Sequence, residues 1–357
     1  MTRIGSDVKF HDGTTLLGGT PLETLAAVRA LGFEGILVRT VDEAFPTLDA
    51  GAVREFAAEA AHQGMFVQLG LGKVNPFMTA ELPRIRDLGD GSYLDGMVRL
   101  IDLCAEHGWT EAWTATGGFK HDLPAPFGFD RFRTDVSWSD QLVAISRFLQ
   151  RLAPALRANG VRLNLETHEE ITTFEIVRLI EQVGEDVLGV CLDPGNLMVR
   201  GEPVMDAVHR VAPYTHMTHL RDAVLVGVDG GISRFLAPVG AGVIDWDELV
   251  DALLTAQPDL DLAIEGIGGS RAEMTLNPRD EYWRSMHPDL TEADVTELER
   301  LVDEYPARAD RGTVECVDVL RARPPARTDY IEFLQRSHDA LRAAIAARPL
   351  SLLEHTS

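Results

Sequence analysis

The chain has 357 residues, 45% hydrophobic and 25% charged, which is the composition of a globular protein with one large domain or two ordinary ones. Its 33 basic residues against 56 acidic ones give a net charge of −23. That balance argues against duplex nucleic acid or an anionic membrane surface as partner, since a backbone binder needs a basic face, but leaves room for a small anionic substrate held locally. The three cysteines, Cys104, Cys191 and Cys316, are far apart and show no CxxC spacing, so neither a zinc ribbon nor a disulfide framework is expected; each reads as a small core residue. The N-terminal MTRIGSDVKFHDGTT lacks the apolar stretch of a signal peptide. No apolar run nears the roughly 20 residues that span a bilayer, so a cytoplasmic protein is expected.

In chain order the pattern alternates strand and helix. RIGSDVKF (3–10) is a modest first strand. Thr20-Pro21-Leu22-Glu23 then forms a capping box with proline at the first helical position. EGILVRT (34–40) is strand two, and a helix through Val53, Phe56 and Ala60 stops at Gly64. MFVQLGLG (65–72) is strand three, followed by a helix from Ser92 to Gly108. EAWTATG (111–117) is strand four, and a polar loop dotted with aromatics runs to about Trp138, where Ser139 opens a long helix closed by Gly160. VRLNLE (161–166) is strand five, and Thr172-x-x-Glu175 caps the next helix. VLGVCLD (187–193) is strand six, followed by a helix from Pro203. THMTHL (215–220) is strand seven, and Asp245-x-x-Glu248 caps its helix. LDLAIEG (260–266) is strand eight, and the last helix spans 328–347.

Eight alternations predict parallel strands with helical crossovers, and the count favours a closed (β/α)8 TIM barrel, a single α/β domain over 1–357. Two segments exceed what a minimal barrel needs. One is the extended loop after strand four, 117–138; the other is a long insertion after strand eight, about 266–327, which contains Trp283, His287 and an acidic helix candidate from Thr291 to Tyr305. Its length suits a lid or a partner-binding segment.

In such a barrel, residues at the C-terminal strand ends face the active site. Strand five ends in Glu166, strand six in Asp193, strand seven near His216 and His219, and strand eight in Glu265. A carboxylate after an apolar run is costly unless paired or coordinated. The plain alternative is helix capping, which suits Asp193 before Pro194 but not the glutamates, since Glu is a poor cap. Three carboxylates and one imidazole on one face suit a divalent ion such as Mn2+ or Mg2+, or Co2+, better than a structural zinc. His219 is the expected ligand, with His216 packing beside it. Around that centre, His121, Lys120 and aromatic side chains of the 117–138 loop are expected at the mouth, with His121 an extra base and Trp138 a stacking surface. His168, Asn196 and Arg221 are candidate substrate contacts.

The segments NLETHEE, GVCLDPGNL, HMTHLRDA and LAIEG resemble the corresponding parts of the sugar phosphate isomerase/epimerase superfamily, the xylose-isomerase-like barrels. The resemblance implies that Glu166, Asp193, His219 and Glu265 bind one divalent metal, commonly Mn2+. It also implies that Glu166 and Glu265 are the acid–base pair of a sugar isomerase or epimerase working through an enediolate. The sequence departs from the ketose 3-epimerase branch at three places. Asn196 replaces a histidine, Thr172 a glutamate and Leu225 an arginine, so the grip on a plain free ketose is altered. The elaborated loops resemble those of the large subunit of bacterial C-glycoside deglycosidases, which implies an eliminase acting on 3-oxo-glycosides, with a small partner subunit or a homo-oligomer as the expected assembly; inosose-type dehydratases are a related alternative. An endonuclease-IV-like DNA repair enzyme is a remote one, disfavoured by the charge and by the shortage of strand-end histidines.

Overall fold

The computed structural model describes residues 2–11, 15–78, 83–120, 122–123 and 126–348. Eight parallel strands form the barrel in the predicted order: β1 Ile4–Val8, β2 Gly35–Val38, β3 Phe66–Gly70, β4 Glu111–Thr114, β5 Arg162–Glu166, β6 Leu188–Leu192, β7 Thr215–Thr218 and, after a hairpin, β10 Leu262–Ile264. β10 pairs with β1, and a bridge from Leu220 to Ile264 carries the sheet round toward β7. The helices between them are α1 Pro21–Ala30, α2 Val41–Ala44, α3 Ala50–His62, α4 Pro83–Leu88, α5 Tyr93–Glu106, α6 Trp138–Asn159, α7 Thr173–Val183, α8 Pro194–Leu197, α9 Val204–Val211 and α10 Trp246–Ala256. Among the described residues no helix is long and apolar enough to cross a membrane.

Local chemistry sets these boundaries. Thr20 and Thr172 each accept from the N3 backbone while Glu23 and Glu175 reach back, giving two complete capping boxes. Gly160 ends α6 at φ +64, a left-handed conformation that glycine adopts without steric cost. One start differs from expectation: α6 begins at Trp138, because Ser137 rather than Ser139 accepts from the Asp140 N–H, at 3.1 Å. Cys104 and Cys191 are buried as expected, but Cys316 is exposed, because it precedes α13 Val317–Ala322 on the surface of the insertion.

The barrel interior above its N-terminal end is filled by Leu37, Trp113, Ala115, Cys191, Met217 and Ala263. Trp113 meets His219 edge to face, with ring centroids 4.5 Å apart, so an aromatic floor lies directly under the strand-seven histidine.

The largest departure from the sequence reading lies between β7 and α10. Residues expected to run straight to the Asp245 cap instead form a hairpin, β8 Asp222–Val228 and β9 Gly231–Ala237, joined in one antiparallel sheet by β11 Met274–Leu276 from the insertion. The remaining insertion folds as α11 Glu281–Ser285, α12 Glu292–Asp310 and α13, and α14 Arg327–Ala347 closes the barrel's helical ring. A second small core of Val224, Val226, Phe235, Ala237, Val314 and Leu320 seals the hairpin against the insertion. Asp222 anchors the hairpin's return. Its buried carboxylate accepts from the N–H groups of Ala223 at 2.8 Å, Gly240 at 3.1 Å, Gly242 at 2.9 Å and Ile244 at 3.2 Å, and from the Trp246 indole at 2.8 Å.

Removing that acceptor strands several buried donors. We predict that Asp222→Ala destabilises the fold by at least about 3 kcal/mol in urea denaturation, while Asp222→Asn, which keeps an acceptor oxygen, costs less than half as much. A cost under about 0.5 kcal/mol for the alanine variant would show that the hairpin is held by its apolar face alone.

Candidate functional site

The C-terminal strand ends bring Glu166, His219 and Glu265 to one point. One ligand atom from each lies within 4.8 Å of the others, and all three residues are buried. His219 Nδ1 is 2.9 Å from Glu166 Oε1 and 3.8 Å from Glu265 Oε2. Three barrel strands, β5, β7 and β10, thus aim donors at one spot. His216 sits lower on β7 and is half-buried; burial, helped by Arg162, pushes its pKa down to about 4. It is His219, not His216, that faces the glutamates.

Asp193 stands apart from that trio. One oxygen caps α8, accepting from Gly195 N–H at 3.0 Å, so the capping alternative holds for half of this carboxylate. The other oxygen accepts from Arg221 Nε at 2.8 Å and from Nη2 as well. The same Arg221 Nη2 lies 2.9 Å from Glu265 Oε2, so a single guanidinium links Asp193 to the trio. Thr167 ties the ends of β5 and β6 together: its hydroxyl donates to the Asp193 carbonyl at 3.0 Å and accepts from the Asp193 N–H at 2.7 Å.

Two residues at the end of β1 join the site without having been singled out in the sequence. Lys9 Nζ lies 2.6 Å from Glu265 Oε1, and Asp7 is buried beside it with one oxygen lacking a hydrogen-bond partner. The signal available in the sequence was the pair of charges in SDVKF, at inward positions of a strand. Lys9 also lines a cavity of about 200 Å³ between β1 and β10, with Gly266, Gly268 and Tyr330 on its walls.

Electrostatics follows from burial. Burial raises Asp7 to about 6, with Glu265 adding to it. Burial likewise raises Asp193 to about 7, against the pull of Arg221. Glu265 goes the other way: burial opposes its charge, but Arg221 and Lys9 outweigh it and hold the carboxyl well below the usual range. For His219, burial disfavours the cation, yet its contacts, Glu166 among them, lift the pKa well above the usual imidazole range. An imidazole nitrogen facing two carboxylate oxygens needs a cation at that point, either its own proton or a metal.

A second polar group lies beside the first. His168 Nδ1 is 2.5 Å from Glu170 Oε2 and its Nε2 is 3.0 Å from Glu169 Oε2. Burial opposes charge on His168, but the two glutamates raise its pKa well above normal. Thr116 Oγ1 fixes Glu170 at 2.6 Å. Asn196 is buried next to Arg221, its Oδ1 accepting at 3.4 Å and its Nδ2 without a partner.

Trp138, expected as a stacking surface at the mouth, is instead buried at the start of α6, where its indole donates to Glu175 Oε1 at 3.0 Å. Arg131 pairs with the same Glu175 at 2.8 and 3.0 Å and donates to the Met286 carbonyl, so Trp138 belongs to a staple joining the 117–138 loop, α7 and the insertion. His121 lies outside the described residues. Of the other aromatics in that loop, Phe129 and Phe132 are buried and Phe127 is exposed.

The model of the xylose isomerase-like TIM barrel family matches residues 25–287. A 3-oxo-isoapionate decarboxylase of Pectobacterium atrosepticum is 24% identical over 119 residues, 33% of this chain and 43% of that protein. The chain therefore spans less than half the length of the curated relatives it matches. Among solved structures, a D-psicose 3-epimerase with D-tagatose from Clostridium cellulolyticum H10 superposes with a TM-score of 0.57 at 13% identity, covering 94% of this chain and 99% of that one. A xylose isomerase-like TIM barrel protein from Mycobacterium smegmatis in complex with magnesium gives 0.57 at 18% identity, covering 85% and 98%. At these identities the likeness establishes the fold.

Removing one partner of a buried ion pair leaves the other uncompensated. Arg221→Met should therefore cost on the order of 3 kcal/mol or more in urea denaturation in EDTA, with divalent metal restoring more stability to the variant than to the wild type. Unchanged stability in EDTA would mean that Asp193 and Glu265 do not need the guanidinium.

Proposed function

Since the chain belongs to the xylose isomerase-like TIM barrel family, we propose that it is a divalent-metal-dependent enzyme acting on a keto-sugar, with Glu166, His219 and Glu265 as the core of the metal site. The observation that carries this reading is the convergence of those three donors within 4.8 Å on one barrel face. The donor set fits a hard ion: two carboxylates and one imidazole, with Asp193 the next carboxylate, one guanidinium away. Mn2+ is the preferred metal, with Mg2+ or Co2+ as substitutes. When bound, such an ion acts as a Lewis acid on a substrate carbonyl and stabilises the enediolate formed next to it.

The chain's own residues do the proton chemistry. Glu166 and Glu265 arrive from well-separated strands, and on opposite faces of a substrate carbon one would remove a proton while the other returns it. Lys9 and Arg221 keep Glu265 ionised, the state a carboxylate metal ligand needs. Return of the proton to the same carbon is epimerisation, and to the neighbouring carbon isomerisation. His168 spends both ring nitrogens on Glu169 and Glu170, so it acts on substrate by fixing those two carboxylates as acceptors for hydroxyls.

A lyase reading has one specific support, the decarboxylase among the relatives. Loss of CO2 from a 3-oxo acid leaves the same enolate that proton abstraction forms, so one site serves both reactions. The three altered positions point away from a plain ketose. Thr172 is used up as the α7 cap, Leu225 is buried in the hairpin, and Asn196 offers only a side-chain amide. A site lacking its hydroxyl partners orients a small sugar poorly.

The test is a metal-dependent assay against free ketohexoses, inososes and 3-oxo-glucosides. Activity should vanish in EDTA, return with Mn2+, and favour the oxidised substrates over fructose, tagatose or psicose. Glu166→Gln and Glu265→Gln should each lower turnover by at least about 10²-fold. Near-normal turnover by both variants at saturating Mn2+ would overturn the assignment, and efficient 3-epimerisation of free ketohexoses would restore the plain epimerase reading.

A further inference from the structure

One charged residue interrupts an apolar row. The hairpin face turned toward the barrel carries Leu225, Ile232, Leu236, Met274 and Leu276, all buried in the main core or against it. In the middle stands Arg234, paired in register with Leu225 on one side and Met274 on the other, and fully buried. Its nearest acceptors are Met274 Sδ at 3.0 Å, a weak thioether acceptor, and the Glu169 carboxylate, an ion pair at 3.7 Å that is too long for a hydrogen bond. Its Nε and Nη1 have no hydrogen-bond partner. Burial lowers its pKa to about 10, so it stays cationic at neutral pH.

Arg200 repeats the pattern. It is fully buried, and its Nε and Nη2, the two donors along one edge of the guanidinium, are unpartnered. Nη1 meets His287 Nε2 at 3.1 Å, and the face lies 4.7 Å from the Phe129 ring, so packing accounts for the plane of this group but not for its open edge. Glu169 is within electrostatic reach of both arginines. Buried donors left unpaired call for an explanation, since each costs desolvation without return. Here four guanidinium donors stand without an acceptor, Nε and Nη2 of Arg200 and Nε and Nη1 of Arg234. Arg234 lies within electrostatic reach of Glu169, Asp193 and Glu265 as well as of Arg221, and Arg200 within reach of Glu170, Glu169 and Glu175 as well as of Arg131.

We propose that Arg234 and Arg200 form a subsite for a carboxylate, so that the substrate is a keto-sugar acid whose oxo end faces Glu166, His219 and Glu265. A planar, singly charged carboxylate matches an open guanidinium edge and remains compatible with Glu169 nearby. The substrate class rests on the keto-sugar reading above; the carboxylate preference itself does not require the metal.

The test uses two probes that differ at one carbon, 2-keto-D-gluconate and D-fructose, titrated calorimetrically into the full chain, both metal-stripped and loaded with Mn2+. The acid should bind the wild type at least about tenfold more tightly, the scale of one charge-assisted hydrogen bond. Arg234→Met and Arg200→Met should each bring that ratio toward one while leaving fructose affinity within about twofold, with circular dichroism and the urea midpoint confirming the fold. Equal binding of the two probes by the wild type, absence of binding by both included, overturns the proposal without reference to any variant. So does a folded double variant that keeps the full ratio. Mn2+ titration of the wild type reads the metal site separately: a retained acid preference with no Mn2+ binding would support the subsite and fail the metal reading.

Discussion

Three carboxylates ending strands of one barrel, Glu166, Asp193 and Glu265, are buried together, and like charges so placed coexist only with cations among them. Much of the site's construction follows from that constraint. Arg221 reaches Asp193 and Glu265 with one guanidinium, Lys9 takes the other oxygen of Glu265, and His219 faces Glu166. Lys9 comes from the end of β1, and His219 and Arg221 both from the end of β7, so the charge balance also ties these two ends to those of β5, β6 and β10. The low dielectric around these groups makes every pairing stronger and every missing partner more costly. A site of this kind is stable only when full, which is why a divalent ion and a protein cation are natural alternatives beside the same oxygens.

The loops above the barrel obey the same rule at a distance. Arg131, fully buried, is held by Glu175 and by the Met286 carbonyl, while Trp138 and the Thr172 backbone N–H share Glu175. One glutamate at the start of α7 therefore fastens the 117–138 loop to the insertion. Asp222 does the equivalent for the hairpin through backbone donors. Both anchors are carboxylates satisfied by many donors, so the covering segments are fixed at their roots.

How much of this was legible in the sequence depended on whether one element alone carried the signal. The barrel strands were readable because each is a short apolar run followed by a capped helix, and the capping boxes at Thr20 and Thr172 set helix starts to the residue. Glu166, His219 and Glu265 were readable because a charge at the end of such a run needs a reason. The hairpin was not read, although Asp229-Gly230 between β-rich stretches is a turn signal and Gly230 has φ +78. Its strands are apolar on both faces, one toward the barrel and one toward the insertion, so the alternation that marks a strand was muted. Trp138 was misplaced because the loop's aromatics were assigned to the mouth as a group, whereas the Ser137 cap turns this one inward. Asp193's division between cap and ion pair could not be read, since both uses share one residue type and the choice depends on Arg221 across β7.

The hairpin also changes what the altered positions mean. Leu225, where an epimerase-like spacing has an arginine, lies directly across the antiparallel ladder from Arg234. Directly opposed residues point to the same face, so the ladder returns a guanidinium to the side of the sheet from which the local sequence removed it. The two are nine positions apart in sequence, and the register between β8 and β9 makes them neighbours. A linear motif therefore does not by itself say which side chains share a face of the folded sheet. The Arg234 guanidinium stands on a strand anchored by Asp222 and backed by a second small core, with Met274 Sδ at 3.0 Å and Glu169 Oε1 at 3.7 Å as its nearest acceptors. Such a cation is positioned before any ligand arrives, which lowers the ordering cost of binding and sharpens discrimination for a partner with the complementary charge.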